Sequence, residues 1–483
     1  MVRALAIDVG STSVRTAIVD DAGLVASVHQ ASLTVSTPNP GEIELDAREV
    51  HELVTLLATR TLADGGGCDV VGITNQRATT IVFDPESGEA LGPALSWQDL
   101  RTVIDCLILQ GQGLRLAPNQ SATKIKWLVE HSGRAATDLK FATIETWIAW
   151  HLSNGAAHVT DQSNAAVTGL VTLDATSWDQ NALTLLGLEP SMMPTIVPTM
   201  GLHAHATVLD GSPPIFALVG DQSASLFGQC CVEHGVKITF GTGAMLDMVD
   251  EQRVPTTMTA LASGCFPIVV RSDARATVWG IEAIALAAGS CIEWLRDSLG
   301  LIASAQESET LAASVPSSDD VWFVPALSGL GTPKWDFGAR GGFFGLTRGS
   351  TRAHLVRAVL EGIAHRGADL IEAAQRETGT TIDEIRVDGG MTANKFFVQS
   401  FANFTGIKVT VSPEREATTR GAGLMALVAG GYLESTDVAR LWEPLEVYWP
   451  ELDEEQRQRR RATWSDIAAR VERTIPDLSA VQF

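Results

Sequence analysis

Two short glycine turns, Gly10-Ser11-Thr12-Ser13 and Gly241-Thr242-Gly243, begin 231 residues apart in a chain of 483, and each separates two strand-like runs. Arg3 to Ile7 leads into the first turn past Asp8, and the β-branched Val14, Thr16, Ile18 and Val19 lead out of it towards a second turn at Asp21-Ala22-Gly23. Val236 to Phe240 and Ala244 to Val249 flank the second turn in the same way. A glycine turn inside a hairpin is neither a P-loop nor a dinucleotide fingerprint, since both place a helix after the glycines. Small residues there let backbone N–H groups converge on phosphate oxygens, and Ser and Thr hydroxyls add donors. Either turn alone reads as an ordinary hairpin. Two of them, half a chain apart, predict a duplicated α/β architecture with phosphates held in the cleft between two lobes, residues 1–233 and 234–483.

A third cluster, Gly389-Gly390-Met391-Thr392, follows the strand-like Ile385 to Asp388 and precedes a helix-like run from Asn394 to Phe404. Its glycines would place a helix N-terminus near a nucleotide, or they simply make a tight strand-to-helix turn. Thr418-Thr419-Arg420-Gly421-Ala422-Gly423 leads into an apolar helix from Leu424 to Ala429, where small residues would leave room for a flat base.

Transfer of a phosphoryl group needs positioned phosphates, a metal, and a carboxylate to take the acceptor's proton. Asp221 is the best candidate base: it stands between the apolar strand Phe216 to Val219 with Gly220 and the helix-like Gln222 to Phe227. An N-cap would explain an Asp there equally well. Asp8 holds the matching place beside the first turn, as a magnesium ligand or as a turn-initiating Asp. Arg77, in Thr74-Asn75-Gln76-Arg77, is positioned to bond acceptor hydroxyls or is a surface charge. Trp97 would stack on a polyol's apolar face or simply pack.

Composition narrows the partners. A net charge of -22 argues against a general nucleic-acid binder, and the basic run Arg457, Arg459, Arg460, Arg461 follows an acidic cluster as a solvated helix face would. Six scattered cysteines without Cys-x-x-Cys spacing suggest neither zinc nor a disulfide framework, and no apolar run is long enough for a membrane span. A cytoplasmic protein is expected.

Taken together, these segments resemble the FGGY carbohydrate kinases, nearest to their glycerol kinase branch. The likeness runs from Asp8-Val9-Gly10-Ser11-Thr12-Ser13 through Ile73 to Arg77, Trp97-Gln98-Asp99, Thr123 to Trp127, Thr160-Asp161, Ser163-Asn164-Ala165 and Gly220-Asp221-Gln222. It continues through Pro325 to Gly331, Trp335-Asp336, the long pattern Gly341 to Glu361 with His354 and Ala358, and Gly421-Ala422-Gly423. The resemblance implies an actin-like ATPase fold, two ribonuclease H-like lobes around a cleft, with ATP and Mg2+ as cofactors. It implies Asp221 as base, Asp8 and Asp221 near the metal, and Gln222 beside the acceptor. Ser11, Thr12, Ser13, Arg15, Gly241, Thr242 and Gly243 would meet the phosphates; Gly389, Gly390, Met391 and Asn394 would surround the nucleotide. The expected partner is a small sugar or polyol, with no nucleic acid or membrane, and the expected assembly is a homodimer or higher homo-oligomer.

Three positions depart from the branch's acceptor contacts: Ala78 where it has Glu, Asn119 where it has Tyr, and Met245 where it has Phe. A roomier, less acidic pocket follows, and with it an acceptor larger than glycerol, such as a four- or five-carbon polyol or ketose. An actin-like ATPase serving a protein partner, and a sugar-binding regulator without catalysis, are the rival readings.

Overall fold

The computed structural model describes residues 2–414 and 416–479. Its first sheet is built from β1 (Arg3–Val9), β2 (Ser13–Asp20), β3 (Val25–Ser32), β4 (Val70–Asn75), β5 (Met200–His205) and β6 (Pro214–Gly220), in the spatial order β5-β6-β4-β1-β2-β3. The second is built from β7 (Val236–Phe240), β8 (Ala244–Val249), β9 (Phe266–Ser272), β10 (Thr277–Ala285), β11 (Glu384–Asp388), β12 (Lys408–Val411) and β13 (Glu446–Tyr448), in the order β9-β10-β8-β7-β11-β12-β13. Pairing directions match: three central strands run parallel in each sheet (β6-β4-β1 and β12-β11-β7), with an antiparallel strand on one side and an antiparallel hairpin on the other. The second sheet adds β9 at its edge. This is the duplicated α/β arrangement of the actin-like ATPase fold.

The helices that frame the site are α1 (Ala47–Gly65), α2 (Ile144–Leu152), α3 (Gln162–Ala165), α4 (Asp221–Gly228), α5 (Arg352–Thr378), α6 (Lys395–Thr405), α7 (Ala417–Ala429) and α8 (Glu454–Ala468). Residue size decides which helix covers which face of β1. Leu5, Ile7 and Val9 point to the side where α1 packs Val50, Val54 and Leu57; Ala4 and Ala6 point to the side where α7 packs Ala422, Leu424 and Met425. The small side of the sheet lets α7 come very close, since a Cβ on Gly72 of β4 would lie 2.1 Å from the Ala422 carbonyl oxygen.

Helices cross between the lobes. α4 leaves the first sheet yet packs Leu226 with Val249, Ile268, Val270 and Val278 of the second, while α7 leaves the second and covers the first. They touch through glycines: a Cβ on Gly228 would meet the Ala417 carbonyl at 1.9 Å, and one on Gly421 the Ala224 carbonyl at 1.8 Å. The stretch read as a lead-in with room for a base is therefore helical from Ala417 onward, and its small residues serve close helix packing.

The basic run on α8 is also only partly a solvated face. Arg457 and Arg459 pair with Glu454 and Glu455 of their own helix, but Arg461 reaches Asp369 at 2.6 Å and Glu372 at 2.9 Å on α5, and Trp464 is buried behind it.

Candidate active site

β1 and β2 pair as far as Val9 with Val14, which leaves Gly10 to Ser13 to turn. Gly10 N–H donates to the Ser13 carbonyl at 2.9 Å, Leu33 N–H to the Thr12 carbonyl at 2.8 Å, and the Trp97 indole N–H to Ser11 Oγ at 3.0 Å. Thr12 is exposed at the tip, and Ser13 Oγ accepts from Gln30. Trp97 is thus braced against the turn, half-buried, with its indole N–H already committed.

At the base of this turn Asp8 and Arg15 face each other across the strands, 3.7 Å apart, and Arg15 also pairs with Glu416. Thr419 Oγ1 of α7 donates to Asp8 Oδ2 at 2.9 Å. Burial nevertheless pushes the Asp8 carboxyl up to about 6, against the pull of Thr419 and Arg15 and with help from the negative charge of Asp221. The two carboxylates therefore sense one another across a shared space.

The second turn closes one residue tighter, from Phe240 to Ala244, and its carbonyls are held from behind: Gly289 N–H donates to the Gly241 oxygen, and Ala288 and Ser290 N–H to the Thr242 oxygen, at 2.8 to 3.1 Å. A Cβ on Gly243 would meet the Ala285 carbonyl at 2.6 Å, and one on Gly389, whose φ is +90°, would meet the Phe240 carbonyl at 2.4 Å. Gly389 so brings the third glycine cluster against the second turn. The helix does not follow directly. A single 3-10 turn, Gly390–Ala393, containing the buried Met391, intervenes, and Asn394 caps α6 by accepting from Phe397 N–H at 2.9 Å while donating to Ser308 at 3.1 Å. One free N–H at the N-terminus of α6 is thereby met by the chain's own cap.

The side expected to meet the acceptor is set by two parallel neighbours. Gly220 of β6 pairs with Asn75 of β4, so Gln76-Arg77-Ala78 and Asp221 leave the sheet side by side. Gly220 is needed here because a Cβ would lie 2.6 Å from Arg77 Cδ; its absence lets the arginine lie across the strand end. Gly220, not Asp221, is the cap of α4, and the Asp221 side chain takes only the Gln222 N–H, at 2.8 Å. The capping explanation of this Asp is set aside. Burial raises the Asp221 pKa, and Arg77, whose Nε is 3.5 Å from Oδ1, opposes that rise.

Arg77 is itself mostly buried, its side chain 13% exposed. Desolvation alone would weaken its charge, but Glu282, Asp221 and Asp247 outweigh that and keep the guanidinium protonated. Its strongest partner is Glu282 Oε1 of β10, 2.6 Å from Nη2 and only 5% exposed. Beside it Lys237, fully buried, pairs with Asp247 at 2.8 Å and donates to Gln222 Oε1 at 2.9 Å and Thr239 Oγ1 at 3.0 Å. Glu282, Lys237 and Asp247 went unnoticed in the sequence; each is a lone charge in an otherwise apolar strand, a pattern that calls for a buried partner. Ala78 is buried at φ +62°, its carbonyl accepting from Thr80 and Ser121. Asn119 is exposed, its carbonyl accepting from the buried Lys124, and Met245 is half-buried on β8 between Thr239 and Ile284.

No group of three or more His, Cys, Asp or Glu among the described residues could hold a metal ion. Asp8 and Asp221 instead offer two hard oxygen ligands, both with pKa values raised by burial and like charge, beside two turns suited to phosphate. Magnesium, which is commonly bound by one or two carboxylates together with substrate phosphates, fits that donor set. No helix of the described residues is long and apolar enough to cross a membrane.

Models of the N-terminal and C-terminal domains of the FGGY family of carbohydrate kinases match residues 3–228 and 236–430. The chain is 39% identical to the glycerol kinase of Trichlorobacter lovleyi, across 95% of this chain and 97% of the relative, and 37% identical to that of Dechloromonas aromatica, across 98% and 97%. Among solved structures, Plasmodium falciparum glycerol kinase with ADP superposes with a TM-score of 0.90 at 24% identity, covering 100% of this chain and 99% of the other. Ligand-bound xylulose kinase from Lactobacillus acidophilus gives 0.88 at 21%, covering 99% and 100%.

Proposed function

The chain belongs to the FGGY family of carbohydrate kinases, phosphotransferases with an alcohol group as acceptor, and from that premise we propose that it moves the terminal phosphoryl group of ATP onto a hydroxyl of a neutral polyol or ketose. The observation that carries the reading is the Asp221–Arg77–Glu282 arrangement at the end of two parallel strands, facing the Asp8 turn.

Asp221 is the base. Its raised pKa makes it a better proton acceptor than a solvated carboxylate, and Arg77 favours its ionised form. Arg77, held by Glu282, offers its remaining N–H groups to the acceptor hydroxyls, and Gln222, oriented by Lys237, offers its amide N–H2. Trp97 covers the acceptor. The turns at Ser11, Thr12, Ser13 and at Gly241, Thr242, Gly243 bind phosphate oxygens, with Arg15 adding charge; Gly389, Gly390, Met391 and Asn394 line the nucleotide side. Asp8 and Asp221 would hold Mg2+, which would supply neutralisation of charge on the transferring phosphate.

The acceptor we favour has four or five carbons, because Ala78, Asn119 and Met245 stand where the resembling glycerol kinase branch carries Glu, Tyr and Phe. Glycerol is the second reading, supported by the names of the relatives that are 37–39% identical. An ADP-release assay with MgATP across glycerol, erythritol, ribitol, xylitol, xylulose, ribulose and gluconate separates them, with Asp221→Ala as control. A clear glycerol preference would sink the larger acceptor. Release that ignores every acceptor would return weight to an ATPase acting on a protein.

A further inference from the structure

Strands β4 and β6 each end in a residue pair that the proposed chemistry depends on, Gln76-Arg77 and Gly220-Asp221, and both ends are tied to one short helix, α3. Gly220 N–H donates to Ser163 Oγ at 2.8 Å. Asn75 and Asn164 exchange amide hydrogen bonds, Nδ2 of Asn75 to Oδ1 of Asn164 at 3.0 Å and the reverse at 3.1 Å, and Asn75 Nδ2 also donates to the Gln76 carbonyl at 2.9 Å. All of these groups are buried. Ser163 and Asn164 are in turn bound to a single carboxylate, Asp161. Its Oδ2 receives the Ser163 N–H and the Ser163 hydroxyl; its Oδ1 receives the Asn164 N–H and Nδ2.

An ionised carboxylate only accepts, so it dictates which way every bond in this chain of contacts points. The Ser163 proton must go to Asp161, which leaves the Ser163 lone pairs for Gly220 N–H. The Asn164 NH2 must face Asp161, which leaves its oxygen for Asn75 and turns the Asn75 NH2 towards Gln76. We infer that Asp161, acting through Ser163 and Asn164, is a positioning residue that sets the placement of both Asp221 and Arg77. This rests on the reading of those two as base and acceptor ligand, but the tie itself does not.

Asp161→Asn keeps the shape and breaks the directions. If its NH2 takes the δ2 place, it meets two donors from Ser163, whose hydroxyl proton then turns on Gly220 N–H. If the NH2 takes the δ1 place, Asn164 must flip, Asn75 with it, and the Asn75 oxygen meets the Gln76 carbonyl. One strand end is disturbed in either case. Glu145 of α2, its Oε1 saturated by hydroxyls of Thr143, Thr146 and Thr160, is the ionisable neighbour; burial raises both carboxyls, and the four donors on Asp161 oppose its rise.

The test uses the full-length protein at pH 8 with two readouts. Hydrogen exchange by mass spectrometry should show Ser163→Ala speeding exchange at 220–222 only, Asn75→Ala at 74–78 only, and Asp161→Asn at one or both, with the rest of the first lobe at wild-type rates. In turnover with the best acceptor, Ser163→Ala should lower kcat about tenfold with acceptor KM little changed. Asn75→Ala should raise acceptor KM about tenfold, and Asp161→Asn should lower kcat/KM about a hundredfold, all with ATP KM within threefold. Wild-type exchange at both strand ends in Asp161→Asn, or a rise spread evenly over the lobe, overturns the inference. Should Asp161→Asn not fold, the site-restricted pattern of Ser163→Ala and Asn75→Ala decides it by the same criteria. A wild-type protein that turns over no acceptor would count against the proposed function alone, because the exchange pattern is read without catalysis.

Discussion

The two glycine turns occupy the same place in two sheets of matching topology, yet they are made differently. In the first, the hairpin position just below the turn is a cross-strand pair of charges, Asp8 with Arg15; in the second, the same position holds Thr239 with Met245. The first turn is braced by side chains, Trp97 on Ser11 and Gln30 on Ser13, and the second by backbone N–H groups of residues 288–290 with Gly389 pressed against its strand. At the turns a duplicated frame has thus been divided: charge and hydroxyls gather at the first turn, close backbone packing at the second. The second turn admits no Cβ at Gly243, whereas the first is expected to tolerate loss of one hydroxyl at small cost.

Four measurements bear on that division. The largest effect belongs to Asp221→Asn, which should lower kcat by about a thousandfold with ATP KM within threefold, as expected for loss of a general base; steady-state kinetics check it. A fall below tenfold would mean that the first lobe does not carry the chemistry.

Asp8→Asn comes next, expected to cost about a hundredfold in kcat/KM and to raise the Mg2+ concentration needed for half-maximal rate. Stability should move the other way. The folded carboxyl titrates near 6, above its ordinary 3.8, so the folded state loses stability as pH rises between these values. Removing the charge should then stabilise the protein at pH 8 by about 3 kcal/mol and make little difference at pH 4, seen by thermal unfolding at both pH values. Wild-type kcat/KM should in turn fall as pH drops below about 6.

Gly243→Ala places a Cβ 2.6 Å from the Ala285 carbonyl and should raise ATP KM at least tenfold, read from ATP titrations at saturating acceptor. The smallest effect is expected at Ser13→Ala, within threefold on every constant, because Ser13 Oγ is one of several donors at an open turn. Equal effects at Gly243 and Ser13 would erase the contrast between the turns.

Much of this was legible in the sequence. The strands around both turns, the hairpin pairing and the absence of a following helix came from β-branched runs and turn residues, which act locally. Asp221 at a strand end was legible for the same reason. The small residues at 418–423 were not, because Gly and Ala suit a base, a tight turn or a helix crossing equally well, and only α4 lying across α7 chooses among them. The Gly389-Gly390 cluster looked like a helix lead-in because the 3-10 turn leaves no mark in its residue types.

By itself the sequence determined a duplicated α/β chain with two phosphate-suited hairpins and two strand-end carboxylates, Asp8 and Asp221, both in the first half, since periodicity and turn chemistry extend over only a few residues. Tertiary structure alone decided what surrounds those carboxylates. Arg77 meets Glu282 across 205 residues of sequence, Asp8 meets Thr419 across 411, and burial then raises the pKa values of Asp8 and Asp221. Desolvation and charge pairing depend on distance in space, and no local pattern encodes that.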